Sequence, residues 1–249
     1  MISYYWKNND SVGKQRWINL ISQLRKFSYD ITVLTFSDRD SIKKENKYTL
    51  IKKKISSFNN FLNNNSIKSF SKGVLDESNT PFISFLSWIR VNFIFPDGRI
   101  LFYKNIENFI VNYINEKKVE LLITTSPPHS IQLLGMNVKK RTSIKWISDF
   151  RDPYLNWDIL LSMNPTYLAK KIHSSYQSAF IKNSDRVIVT NSKLKNEFRS
   201  YNKNNVSFIH NGSVIKQSMN KDKNFIISYF GLLNKFRNPK VFIDVLENI

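Results

Sequence analysis

The feature that most constrains this chain is a series of short apolar runs, each closed by turn-forming or polar residues and followed by a segment of helical period. Residues 120–125 (ELLITT) stop at Ser126-Pro127-Pro128-His129. Residues 144–148 (IKWIS) lead into Asp149-Phe150-Arg151-Asp152-Pro153. Residues 186–190 (RVIVT) precede a helical stretch at 193–200, and residues 206–210 (VSFIH) end in Asn211-Gly212. A run that is apolar at consecutive positions suits a strand covered on both faces, as in the centre of a parallel sheet. Parallel neighbours need a crossover connection, so strands alternating with helices restrict the chain to the α/β class with a mostly parallel sheet.

The first part of the sequence reads the same way. Residues 2–6 and 31–36 (ITVLTF) are expected strands, and Trp17, Ile18, Ile21, Leu24 and Phe27 recur between them at helical spacing. Residues 37–80 are polar and rich in Lys and Asn, with a strand expected at 48–51. After Pro81 comes an apolar helix over 82–95 (FISFLSWIRVNFIF), stopped by Pro96-Asp97-Gly98. Ile100, Tyr103, Ile106, Ile110 and Tyr113 form the face of another helix, and further helices are expected at 130–140 and 166–182. His173, beside Lys171 in the last of these, is expected on the surface.

Residues 213–223 read as a linker. A strand at 225–230 (FIISYF), a loop opening at Gly231 and a helix from Pro239 follow it. One βα unit cannot bury its own faces. The expected organisation is therefore a Rossmann-like domain over 1–215, with 216–249 supplying a linker and the first unit of an incomplete second domain.

Composition narrows the chemistry. Among 249 residues, 41% are hydrophobic, enough for a packed core rather than a disordered chain. The absence of Cys excludes disulfides, thiolate metal sites and cysteine nucleophiles, and 3 His leave little for a multi-histidine metal centre. The 38 Lys+Arg against 19 Asp+Glu give +19, which favours anionic partners such as phosphorylated small molecules, an acidic membrane face or nucleic acid. A solvated Lys-rich surface explains part of the same excess. The N-terminus lacks a secretory pattern, and no apolar run reaches the length of a membrane span, so a cytoplasmic chain that touches a membrane surface is expected. There is no G-x-G-x-x-G after the first strand, no Walker A, no G-x-S-x-G, no H-E-x-x-H and no RNA-recognition or zinc-finger signature.

In open α/β sheets, ligands bind beyond the carboxyl ends of the strands. There the sequence places Gly13, Lys14 and Arg16 at the opening of the first helix, where an anion is favoured. It also places Ser126 and His129 after the fourth strand, Asp149, Arg151 and Asp152 after the next, and Asn211-Gly212 at the end of the domain. Each has a plainer alternative: Gly13 and Asn211-Gly212 as turns, the Pro pair as a strand stop, His129 as a cap, and the Asp-Arg-Asp run as a structural ion pair.

Taken in order, ELLITTSPPHSIQLLG, KWISDFRDPY, SDRVIVTNSKLKNEF, VSFIHNG and ISYFGLLNKFRNP resemble the group 1 retaining glycosyltransferases of GT-B fold, most strongly over 119–249. YYWKNNDSVGKQR is similar to that family's glycine-containing first loop, and FPDGRI to the Pro-Asp segment of one bacterial subgroup. The resemblance implies two facing Rossmann-like domains and transfer of a sugar from a nucleotide-sugar donor, with retention and without a metal or other cofactor. The acceptor side lies in the first domain and the donor side in the second. The expected acceptor is lipid-linked or another glycan, in surface polysaccharide or lipopolysaccharide assembly at the inner membrane face.

By position, the resemblance matches Gly13, Asn211, Gly212 and Gly231 to family positions, and together with Lys14 and Arg16 of the first helix opening they are the expected donor-phosphate contacts. His129, Asp149 and Arg151 are assigned to catalysis, and Ser126 and Asp152 to the acceptor side. Many members carry Arg directly after the glycine matched by Gly231. Leu232 stands there, which leaves Lys235 and Arg237 as diphosphate contacts. The family's later glutamate-rich motif has no counterpart before Ile249, so residues 1–249 alone are expected to have little or no transferase activity. Two rival readings stay open: a non-catalytic remnant or partner subunit, and a basic nucleic-acid-binding module that rests on charge alone. With the family reading, no nucleic acid is expected.

Overall fold

The computed structural model of the chain describes residues 1–6, 12–55, 81–201, 205–212, 226–228 and 238–246. Its strands are β1 (Ile2–Ser3), β2 (Thr32–Ser37), β3 (Ser41–Lys44), β4 (Thr49–Lys54), β5 (Leu121–Ser126), β6 (Lys145–Phe150), β7 (Arg186–Val189) and β8 (Val206–Phe208). They form one sheet of 8 strands in the order β3-β4-β2-β1-β5-β6-β7-β8. All pairs are parallel except β3 with β4. The helices are α1 (Val12–Leu24), α2 (Pro81–Phe93), α3 (Lys104–Lys117), α4 (Ser130–Thr142), α5 (Asp158–Ser162), α6 (Tyr167–Asn183), α7 (Ser192–Arg199) and α8 (Lys240–Leu246). The α/β class with a mostly parallel, Rossmann-like sheet holds.

Two-residue alternation sorts the core. Val33 of β2 and Leu50 of β4 join Trp6, Trp17 and Ile21 on the α1 side. Leu34 and Ile51 turn to the other face, where Ile106 and Ile110 of α3 belong to the larger cluster. Helix α4 lies close on the sheet because Gly135 has no side chain: a Cβ there would be 2.7 Å from Thr124 Cγ2 and from Trp146 Nε1. Thr124 Oγ1 accepts from Trp146 Nε1 at 2.8 Å and donates to Gln132 Oε1 at 2.6 Å, so the polar groups on this buried face are paired.

Several elements differ from their sequence expectations. The first strand stops at Ser3, and the Tyr4 carbonyl accepts instead from Thr35 Oγ1 at 3.3 Å. Edge strand β3 is exposed along its length and lysine-containing, a pattern that hides a strand while protecting a sheet edge. Ile100 and Tyr103 belong not to α3 but to a separate 3₁₀ turn (Gly98–Phe102) and the residue that caps it. Residues 226–228, the described part of the strand expected at 225–230, lie outside any strand. The linker expected at 213–223 is outside the described residues. Helix α8 forms, with no buried residue.

The order reverses at β1, whose successor β2 lies on one side while β5 lies on the other. Crevices at such a reversal, beyond the carboxyl ends, are where open α/β sheets hold ligands.

Candidate functional site

Asp149 lies near the carboxyl end of β6 and is fully buried. Its Oδ1 accepts from Arg16 Nη2 at 3.1 Å, and its Oδ2 accepts from Trp17 Nε1 at 3.0 Å and Thr125 Oγ1 at 2.7 Å. The other side of the Arg16 guanidinium donates from Nη1 to the carbonyls of Ile209 (2.6 Å) and His210 (3.2 Å) and to Asn211 Oδ1 (3.2 Å). Asn19 Nδ2 donates to the Gly212 carbonyl at 3.0 Å. Helix α1 thus clamps the end of β6 to the chain leaving β8. The Ser126 hydroxyl is equally enclosed, accepting from Gln132 Nε2 at 3.0 Å and donating to the Asp149 carbonyl at 3.4 Å. As placed, Arg16, Ser126 and Asp149 are buried and paired within the fold at the carboxyl end of the sheet.

Arg151 follows β6 and folds back over the end of β5. Its Nε donates to the Ser126 carbonyl and its Nη2 to the Pro127 carbonyl, each at 3.1 Å. Nη1 rests where Gly13 lacks a side chain: a Cβ on Gly13 would lie 1.4 Å from it. Gly13 therefore does more than turn the chain, because it admits a guanidinium to the amino end of α1. Burial lowers the pKa of Arg151, an effect opposed by the nearby Asp152 and Asp149. A cation and a helix amino terminus share this corner, and both favour an anion. Lys14 is the next residue of that helix, and Asp152 is half-buried beside Arg151.

His129 precedes α4 and is 2% exposed, and neither ring nitrogen has a hydrogen-bond partner. The rings of Tyr154, Trp157 and Phe150 surround it at centroid distances of 4.4, 5.6 and 6.1 Å. Burial lowers its pKa to about 3, so the imidazole is neutral and keeps one donor and one acceptor for a partner.

His173 is buried, contrary to the expected surface position. It lies on a row with Ala169, Gln177 and Phe180 that faces inward, a face disguised by its polar members. Its Nε2 is 3.0 Å from the Val91 carbonyl, which can only accept, so Nε2 carries the proton. Nδ1 then accepts from the Tyr154 hydroxyl at 2.6 Å.

In the sequence, Asp97 reads as part of a helix stop and of the Pro-Asp segment FPDGRI, with no side-chain role. Its Oδ2 accepts from Ser130 N and its Oδ1 from Ser130 Oγ, both at 2.8 Å, and Oδ1 also accepts from Arg99 N at 3.0 Å. One carboxylate thus holds the starts of α4 and of the 3₁₀ turn. The signal was present, since Asp before a helical turn is a favoured cap, but its second helix is 33 residues away. Arg99 then lies 4.5 Å from the Tyr4 ring centroid, beyond the end of β1.

The structure brings Gly13, Lys14, Arg16, Ser126, Asp149, Arg151, Asn211 and Gly212 to the carboxyl end of the sheet, with His129 opening α4 there. Gly231, Lys235 and Arg237 lie outside the described residues. An open depression of about 710 Å³ lies at the other end of the sheet, lined by Tyr29, Lys118, Leu121 and Lys145, away from these groups. Among the described residues no cluster of His, Asp and Glu is placed to hold a metal, and no helix is long and apolar enough to cross a membrane. No protein-family model matches the chain, and no curated protein matches its sequence.

Proposed function

We propose that this chain is the acceptor-side half of a GT-B glycosyltransferase, moving a sugar with retention from a nucleotide-sugar donor to a lipid-linked or other glycan acceptor at a membrane surface. The observation that carries the reading is the meeting of the Arg151 guanidinium with the amino end of α1 at Gly13, beside the strand-order reversal. In sugar transfer, negative charge develops on the departing diphosphate. Fixed donors and cations lower that barrier without reorganising. Arg151 and the first amides of α1 fill that role, joined in this reading by Lys235 and Arg237 of a second domain. Arg16 and Asp149 position the loops, while His129, enclosed by Tyr154, Trp157 and Phe150, is shut off from the sugar.

Sugar transfer followed by mass spectrometry tests this reading. The protein as its gene encodes it would be offered a panel of nucleotide sugars with a polyprenyl-linked acceptor. A product whose mass rises by one sugar is expected; diphosphate-sugar binding with no transfer from any donor would contradict it. The second reading, a scaffold that keeps the fold without the chemistry, is favoured by the full occupancy of both Asp149 carboxylate oxygens.

A further inference from the structure

The two helices beside the site carry apolar surface that the described fold leaves uncovered. On α2, Phe85 is 57% exposed and Phe93 67%, with Trp88 between them at ring-centroid distances of 6.4 and 6.0 Å. The two phenylalanines are eight positions apart, roughly 12 Å along one helix side. The last turn of α2 abuts the start of α6, where Asn92 Oδ1 accepts from Thr166 N at 2.8 Å. Next to these contacts Phe93, Tyr167 (74% exposed) and Leu168 (67% exposed) point outward at one corner. Lys170 and Lys171 are exposed one turn on, and the Lys171 ammonium sits 4.7 Å from the Tyr167 ring centroid.

Charge decides what would cover this corner. Neither α2 nor α6 contains an Asp or Glu, and the whole chain carries +19. Aromatic and aliphatic side chains rimmed by ammonium groups, on a helix too short to span a bilayer, match the interfacial zone of an acidic membrane. Asp97 is four positions beyond Phe93, a reach of at most about 14 Å, and it holds Ser130, so a surface held at Phe93 lies beside the start of α4 and the candidate site.

We propose that the α2–α6 corner docks the chain on an anionic lipid bilayer, with Phe85, Phe93, Tyr167 and Leu168 entering the interface and Lys170 and Lys171 meeting lipid phosphates. The proposal gives a partner to the lipid-linked-acceptor reading. It is read out by binding alone, so either can fail while the other stands.

The test is vesicle sedimentation of the full chain with phosphatidylcholine alone and with phosphatidylcholine–phosphatidylglycerol, at low and high salt. Binding is expected only to the anionic vesicles and is expected to weaken with salt. Phe85→Ser/Phe93→Ser and Lys170→Gln/Lys171→Gln should each lower partitioning by roughly tenfold or more while the far-ultraviolet circular dichroism is unchanged. Unaltered binding by both double variants overturns the proposal. Lipid-free self-association abolished by Phe85→Ser/Phe93→Ser, with no vesicle binding, also overturns it and assigns the corner to a second copy.

Discussion

Arg16 and Asp149, 133 residues apart in sequence, form an ion pair of 3.1 Å whose side chains are 2% and 0% exposed. Removing one member of such a pair strands a charge in the interior at a cost of about 3–5 kcal/mol. Arg16→Met and Asp149→Asn should each lower the urea midpoint. The double variant should lose less than the sum of the two, because each single change leaves the partner's charge unmatched. Additive losses in a double-mutant cycle would show that the pair does not couple helix α1 to β6.

Gly13 is shaped by Arg151 rather than by its own backbone. Gly13→Ala must displace a guanidinium held by two carbonyls, at a cost of about 1–3 kcal/mol. With Arg151→Ala already present, the same change should be neutral or stabilising, since Ala is the better helix former. A Gly13→Ala penalty of the same size in both backgrounds would contradict the contact.

His129 sets a pH dependence of known sign. Unfolded, its imidazole gains a proton near pH 6.5; folded, burial keeps it neutral down to about 3. The unfolded state therefore binds more protons across this window, and stability falls as pH drops below 6.5. One such group costs about 2 kcal/mol between pH 7 and pH 5. His173, whose pKa burial also lowers, acts in the same direction. His129→Phe should stay within about 1 kcal/mol of the parent at pH 7 and lose distinctly less at pH 5, because it removes two unpartnered nitrogens from an aromatic cage. Equal losses in parent and variant, followed by urea unfolding at the two pH values, would show that His129 is not held neutral.

Asp97 should prove a stabilising cap shared by two turns. Asp97→Ala is expected to cost about 1–2 kcal/mol in the urea midpoint and to speed amide exchange at Ser130. An unchanged Ser130 exchange rate would remove Asp97 from that role.

Central strands and their exits were legible because apolar runs such as ELLITT and RVIVT can be buried on both faces only in a covered sheet. Arg151, Gly13 and Asp149 could be placed at one end of that sheet for the same reason. Their mutual contacts could not be foreseen, since spacing alone does not show that Arg151 would fill the volume beside Gly13. Arg16 reads as a phosphate ligand at a helix start, yet it faces a buried carboxylate and the carbonyls of Ile209 and His210. His173 was misplaced because a helix face containing His and Gln looks solvated until Tyr154 and Val91 are found to pair with it. Edge strand β3 was missed because its lysines follow the needs of an exposed edge rather than of a core.

The proposed function turns on whether the Gly13–Arg151 corner grips a diphosphate. Equilibrium dialysis of the folded chain against a panel of nucleoside diphosphate sugars measures this directly, with inorganic pyrophosphate as competitor. Saturable binding that pyrophosphate displaces, and that Arg151→Met weakens about tenfold or more while the circular dichroism is kept, is the expected result. No saturable binding, or binding indifferent to both pyrophosphate and Arg151→Met, would contradict the account.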